Sequence, residues 1–253
     1  MEVGEVDFVD RIIVKGDFEI AFPCQTDIIR NTLETESSLN ALIANTFDMD
    51  DEDSVDLIYS SEALTEGELD LIGAKADIVF YNPGNPNSLY YISVNFDQDY
   101  LSYATDLSIA SVTLHENVHA YLLYALEENE DWLIEGSSDN INYEILLESY
   151  IDYRAYKIYG TPLKSFTAMN FSFAHHEVIT EFVEEIASTL REYGENQGYT
   201  LGNEFYNAMA WGGLKETLAW TLDLTEQKRQ QYENIFLSEH LGVYPAKGTN
   251  CGN

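Results

Sequence analysis

The sequence predicts an α+β fold in which a small mixed sheet comes first and a mostly helical region follows. Three observations predict it. β-rich runs gather between residues 55 and 96, helix-length apolar patterns take over from Thr105, and neither an internal repeat nor a low-complexity linker divides the chain. One domain over residues 1–253 is therefore expected, with the sheet in about 1–100, helices in about 101–240 and a loop-like tail.

The first structured segment is expected at Phe18 to Phe22, an extended run stopped by Pro23. Residues 25–46 read as one or two helices, with Thr26 or Asp27 as cap and Ser37-Ser38 as the break. The acidic stretch Asp48 to Asp56 reads as a solvated loop, because it lacks the glycine and ligand spacing of a calcium loop. Strands are expected at Val55 to Tyr59, Ala76 to Tyr81 and Leu89 to Phe96. The turn signal Asn82-Pro83-Gly84-Asn85-Pro86-Asn87 would join the last two as an antiparallel hairpin.

From Thr105 or Asp106, a cap position, a helix is expected to run to about Glu128. Its apolar residues (Leu107, Ala110, Val112, Leu114, Val118, Leu122) cover more than one stripe, which points to a helix buried beneath the sheet. Further helices are expected at 141–159, from His176 to Tyr193 with Gly194 as the stop, at 203–210 and at 214–234, with Gly212-Gly213 between the last two. The chain after Gly242 reads as loop.

Composition narrows the function. Against 45 acidic residues stand only 12 basic ones, for a formal charge of -33. Such a surface repels phosphate backbones and anionic lipid heads, so nucleic-acid binding is excluded. The same charge favours cations near the protein. No apolar stretch of about 20 residues is present, so no membrane span is expected. The first residues are acidic without an apolar run, so no export signal is read there. The two cysteines, Cys24 and Cys251, suit either one long-range disulfide or two unrelated thiols.

Chemistry concentrates in Thr113-Leu114-His115-Glu116-Asn117-Val118-His119-Ala120, a His-Glu-x-x-His pattern inside the predicted buried helix. Residues four apart on a helix share a face, so His115 and His119 can bind one zinc ion. Glu116 would then act as general base toward a water at the open position. A polar histidine pair on a helix surface is the plain alternative. Three such groups in one of the chain's most apolar helices would, however, be costly to bury without partners.

A catalytic zinc site normally takes a third protein ligand. Among the five histidines, His175 and His176 open a second helix and are followed by Glu177. His176 is the first choice, with Glu177, His175, Glu181, Glu184 and Glu185 as alternatives. Those not used would orient a ligand or start the helix. Tyr206, just before Met209-Ala210-Trp211-Gly212-Gly213-Leu214, is the candidate donor to a developing oxyanion, against a plain packing role.

With His115, Glu116 and His119 as first ligand, base and second ligand, the chain resembles the zincin-like metallopeptidase superfamily. It is also similar to a group of uncharacterised metallopeptidases from the Bacteroidetes. That wider resemblance covers most of residues 18–220 and rests on three segments. They are Ile109-Ala110 through His119-Ala120, His176-Glu177-Val178-Ile179-Thr180, and Ala210-Trp211-Gly212-Gly213-Leu214-Lys215-Glu216-Thr217.

The resemblance implies a zinc-dependent peptidase acting on peptide or protein substrates, a preference for His176, and export from the cell to a secreted, periplasmic or surface-anchored location. It also implies a sheet edge that binds substrate along the cleft, a place it gives to Leu89 to Phe96. The sequence departs from metzincins, since no glycine-containing third-ligand motif follows His119. A gluzincin arrangement would instead require Glu177 with Glu181, or Glu181 with Glu185. Two rival functions stay open: a zinc hydrolase of another amide or ester, and a catalytically silent extracellular binding protein on the same scaffold.

Overall fold

A computed structural model describes residues 12–47, 55–64, 73–81, 89–127 and 176–252. The expected helix at 141–159, most of the acidic stretch, the turn at 82–87 and His175 lie outside the described residues. A mixed four-stranded sheet in the N-terminal part is followed by a largely helical C-terminal part. The sheet comprises β1 (Ile12–Val14), β2 (Leu57–Glu62), β3 (Ala74–Phe80) and β4 (Tyr90–Asp97), in the spatial order β1-β2-β4-β3. β1, β2 and β4 run parallel, while β3 and β4 form the expected antiparallel pair.

Between β1 and β2 lie α1 (Gly16–Ala21), α2 (Pro23–Leu33) and α3 (Ser38–Phe47). The expected strand at Phe18 to Phe22 is instead mostly helix α1. Its alternating apolar residues do not share a buried face, since Phe18 is buried while Ile20 is 84% exposed. Pro23 opens α2 at a position where proline's missing N–H costs nothing, so the cap falls on Phe22 rather than on Thr26 or Asp27.

After the sheet come α4 (Gln98–Tyr103) and the long α5 (Asp106–Glu127). Leu107, Ile109, Ala110, Leu114, Val118 and Ala120 are all buried, as expected for a helix enclosed on most sides. Several of its hydroxyls are satisfied within the core. Thr113 Oγ1 donates to the Ile109 carbonyl at 2.8 Å, Ser111 Oγ to the Met209 carbonyl at 3.1 Å, and Ser108 Oγ lies 2.9 Å from the Tyr100 hydroxyl. Thr105 caps α5, its hydroxyl accepting from the Ser108 N–H at 3.2 Å and donating to Glu239 at 2.7 Å.

The C-terminal helices are α6 (Val183–Asn196), α7 (Asn203–Ala210), α8 (Leu218–Asp223) and α9 (Glu226–His240). Residues 176–179 form a helical turn that leads through a 3-10 turn, Thr180–Phe182, into α6. Gly194 does not stop this helix. It lies inside it, because a side chain there would run into the Tyr206 hydroxyl, and Gly198 with φ 87° follows the true end. The helix expected over 214–234 is two helices. Thr217 and Thr225 each cap one, accepting from the N–H of Trp220 and Lys228.

The tail is fastened back onto the start of α5. Asp106 accepts from the Thr249 N–H at 2.9 Å and from the Tyr199 hydroxyl at 2.8 Å, and Cys251 forms a disulfide with Cys24. The bond joins residues 227 apart in sequence, and closing so long a loop is worth about 2–4 kcal/mol through the unfolded chain.

Candidate metal centre

α5 carries His115 and His119 one turn apart, and the turn at 176–179 brings His176 to them. Ligand atoms of the three imidazoles all lie within 4.8 Å of one another. The ring centroids form a near-equilateral triangle, with sides of 4.9, 5.4 and 5.1 Å. A tetrahedral zinc with nitrogens at about 2.0–2.1 Å holds them about 3.4 Å apart, so small rotations of the rings suffice. Among the described residues this is the one group of three potential metal ligands.

The donor set fits a divalent cation. Burial pushes His115 down to about 3, with His176 adding to the effect, and pushes His176 down to about 4. Both rings are therefore neutral at physiological pH, the state a metal requires of imidazole. His115 Nδ1 is also buried without a hydrogen-bond partner among the described residues. An orphaned buried nitrogen is costly unless something occupies it or its ring partner. Three imidazoles in one small space suit zinc better than calcium or magnesium, which prefer oxygen.

Glu116 is buried on the same helix, where it meets β3. Burial raises its carboxyl to about 8, while a hydrogen bond from the Ala76 backbone N–H acts in the opposite direction. Asp77 raises it further and Lys75 lowers it. The next residue, Asn117, faces away from this chemistry and accepts a hydrogen bond from the Tyr59 hydroxyl on β2.

The strand at the metal helix is not the expected one. β4 is hydrogen-bonded on both sides, to β2 and to β3, so it offers no free edge. Among the described residues the edge beside α5 is β3. Its sequence, Ala-Lys-Ala-Asp-Ile-Val-Phe, places charges on an edge strand, while the more apolar β4 takes the interior. Asp97 N–H donates to Gly73 and Tyr81 N–H to Leu89, so the odd-numbered residues of β3 bond to β4. Ala74, Ala76, Ile78 and Phe80 must then aim their N–H and C=O groups outward, as the Ala76 bond to Glu116 requires.

The remaining expected site residues fall elsewhere. Glu177 is buried, but its carboxylate accepts from the Leu218 backbone N–H rather than joining the cluster. Glu181, Glu184 and Glu185 are exposed. Tyr206 is buried with its hydroxyl against Gly194 in α6, where it has no hydrogen-bond partner among the described residues, and its ring is edge-on to Phe205. The nearby Gly212-Gly213 turn does reach the site. Gly213 has φ 79°, and a Cβ there would come within 3.3 Å of His115 Cε1. The sequence signal for this contact was the glycine pair itself, which permits both the turn and the approach.

No family model matches the chain, and no curated protein or solved structure matches it either. The candidate site therefore stands on its residues: a His115–His119–His176 cluster with Glu116 beside it, consistent with a His-Glu-x-x-His metal centre of the zincin type.

Proposed function

We infer that the protein is a zinc-dependent hydrolase, most specifically a peptidase, with His115, His119 and His176 holding the metal and Glu116 as general base. The convergence of three imidazoles beside a buried carboxyl carries this reading. When bound, zinc supplies Lewis-acid polarisation of a carbonyl and a water made acidic near neutral pH. Glu116 takes up a proton at a carboxylate oxygen and delivers it to the departing amine. Its position in a buried site, with a carboxyl raised to about 8, suits a group that must gain and lose a proton near neutrality.

The outward N–H and C=O groups of Ile78 and Phe80, with the Ala76 carbonyl, form a template for an extended peptide. A substrate strand pairing there would run along the metal helix past Glu116. That edge is the feature favouring a peptide over a small amide or ester. Main-chain pairing gives affinity with little dependence on substrate side chains. Tyr206 is given no role here: its hydroxyl packs on Gly194 and has no hydrogen-bond partner among the described residues.

The Cys24–Cys251 disulfide supports work in an oxidising compartment, which agrees with a secreted or periplasmic enzyme. Among the described residues no helix is long and apolar enough to cross a membrane. The test of the reading is Glu116→Gln assayed on a mixed peptide library. The variant should bind zinc as the wild type does and lose hydrolysis by about 10²–10⁴-fold. Undiminished hydrolysis would remove Glu116 from the mechanism.

A further inference from the structure

Besides Glu116, a second buried acidic residue lies beside the histidine cluster among the described residues: Glu177. It follows His176 directly and is 2% exposed. A carboxylate so enclosed is retained only where hydrogen bonds compensate its lost hydration. Its Oε1 accepts the backbone N–H of Leu218, the first residue of α8. Its backbone is tied as well, because Thr180 Oγ1 donates to the Glu177 carbonyl at 2.7 Å.

What Leu218 belongs to gives this bond its meaning. The turn from Trp211 to Leu218 is held tightly: Leu214 N–H donates to the Trp211 carbonyl at 3.1 Å, and Thr217 Oγ1 donates to the Leu214 carbonyl at 2.7 Å. Thr217 Oγ1 also accepts the Trp220 N–H at 3.1 Å, capping α8. Gly213, in the same turn, is the residue that packs on the His115 ring. One end of the turn thus touches the first imidazole, and the other end is bonded to the residue that follows the third.

We propose that Glu177 is a positioning residue for the metal centre: its buried carboxylate, bonded to the Leu218 N–H, locks His176 against the turn that carries Gly213 onto His115. The inference rests on the zinc-site reading above. Its action passes through His176 and the 211–218 turn, so it makes no contact with metal or substrate. Contacts that orient ligands in this way typically change metal affinity by about 10–100-fold.

The test is zinc affinity of the full chain by chelator competition, with the visible spectrum of the cobalt-loaded protein as a second readout. Glu177→Ala should bind zinc about 10–100-fold more weakly and show an altered cobalt spectrum at saturation. Glu177→Gln keeps an oxygen acceptor at the same place and should stay within about 3-fold of the wild type, well inside the range such contacts control. Leu218→Pro removes the donor instead. Proline suits the first position of a helix, and Thr217 before it already has ψ 154°.

Leu218→Pro should reproduce the Glu177→Ala loss, and the double variant should lose no more than either single one. If Glu177→Ala fails to fold, Leu218→Pro against wild type decides the matter alone. Folded single variants with wild-type zinc affinity and cobalt spectrum overturn the proposal and leave the zinc site intact. Additive losses in the double variant overturn it too, because the two residues would then act separately. A wild-type chain that takes up no zinc overturns the metal reading itself.

Discussion

Among the described residues, two histidines, His240 and His115, enclose an unpartnered ring nitrogen, and they differ in one respect that separates chemistry from packing. His240 lies at the end of α9, stacked on Tyr100 at 4.6 Å and near Phe236 at 5.2 Å, with neither ring nitrogen hydrogen-bonded. His115 is half-buried, with its Nδ1 enclosed and orphaned among the described residues, and desolvation lowers both rings far below the usual histidine value. At His240 no second or third ligand is at hand among the described residues. At His115, His119 and His176 complete a triangle, and a buried carboxyl stands beside it. An unsatisfied imidazole by itself marks only a costly burial; convergence marks a site.

The largest expected effect breaks the pair apart directly. Replacing His119 by Ala should abolish stoichiometric zinc binding and all hydrolysis, whereas His240→Phe should leave both unchanged, as measured by metal analysis and peptide cleavage. Zinc loss in His240→Phe would show that the two sites are not distinct in kind. A smaller effect sharpens the contrast through stability. Zinc at about 1,000 times its dissociation constant should stabilise the wild type by about 4 kcal/mol, read by thermal unfolding with and without a chelator. His119→Ala should show no such difference.

The smallest effect concerns His240 alone. Its folded value is about 4 against 6.5 for a free imidazole side chain, and burial is the cause. The unfolded chain therefore binds more protons across that window, so stability rises with pH from about 4 to 6.5 and is complete above it. The shift is worth up to about 3 kcal/mol at the acid end. His240→Phe keeps the stacked ring and removes the titration. Its stability advantage over wild type should grow as pH falls from 7 to 4.5, in metal-free denaturation at matched ionic strength. A constant difference would mean that His240 is not held neutral by burial.

Much of the site was legible because its chemistry is local. His115, Glu116 and His119 lie within five residues, and a helix period suffices to put them together. His176 was reachable from scarcity, since few histidines were available. The α+β order and the hairpin were legible from the runs of β-rich sequence and the turn between them. What escaped depended on tertiary partners. β3 rather than β4 forms the edge because β4 is claimed by β2, a pairing between strands some thirty residues apart that no window reveals.

The same holds for smaller features. Tyr206 stood out by its place near the glycine pair; its hydroxyl packs against Gly194 on another helix, without a hydrogen-bond partner among the described residues. Phe18 to Phe22 shows strand-like alternation and folds mostly as a helix, because only one of the alternating residues finds the core. Thr217 and Thr225 were readable caps that a long apolar pattern over 214–234 obscured. The disulfide required a fold that brings residues 24 and 251 together.

The most direct test is the zinc content of the purified wild-type chain after equilibration with zinc and removal of excess metal, beside His115→Ala, His119→Ala and His176→Ala. The account predicts one zinc per wild-type chain and a loss of at least about 100-fold in affinity in each variant, as expected when a ligand itself is removed. A wild type that retains no zinc, or a His176→Ala variant that binds it as tightly as wild type, would contradict it.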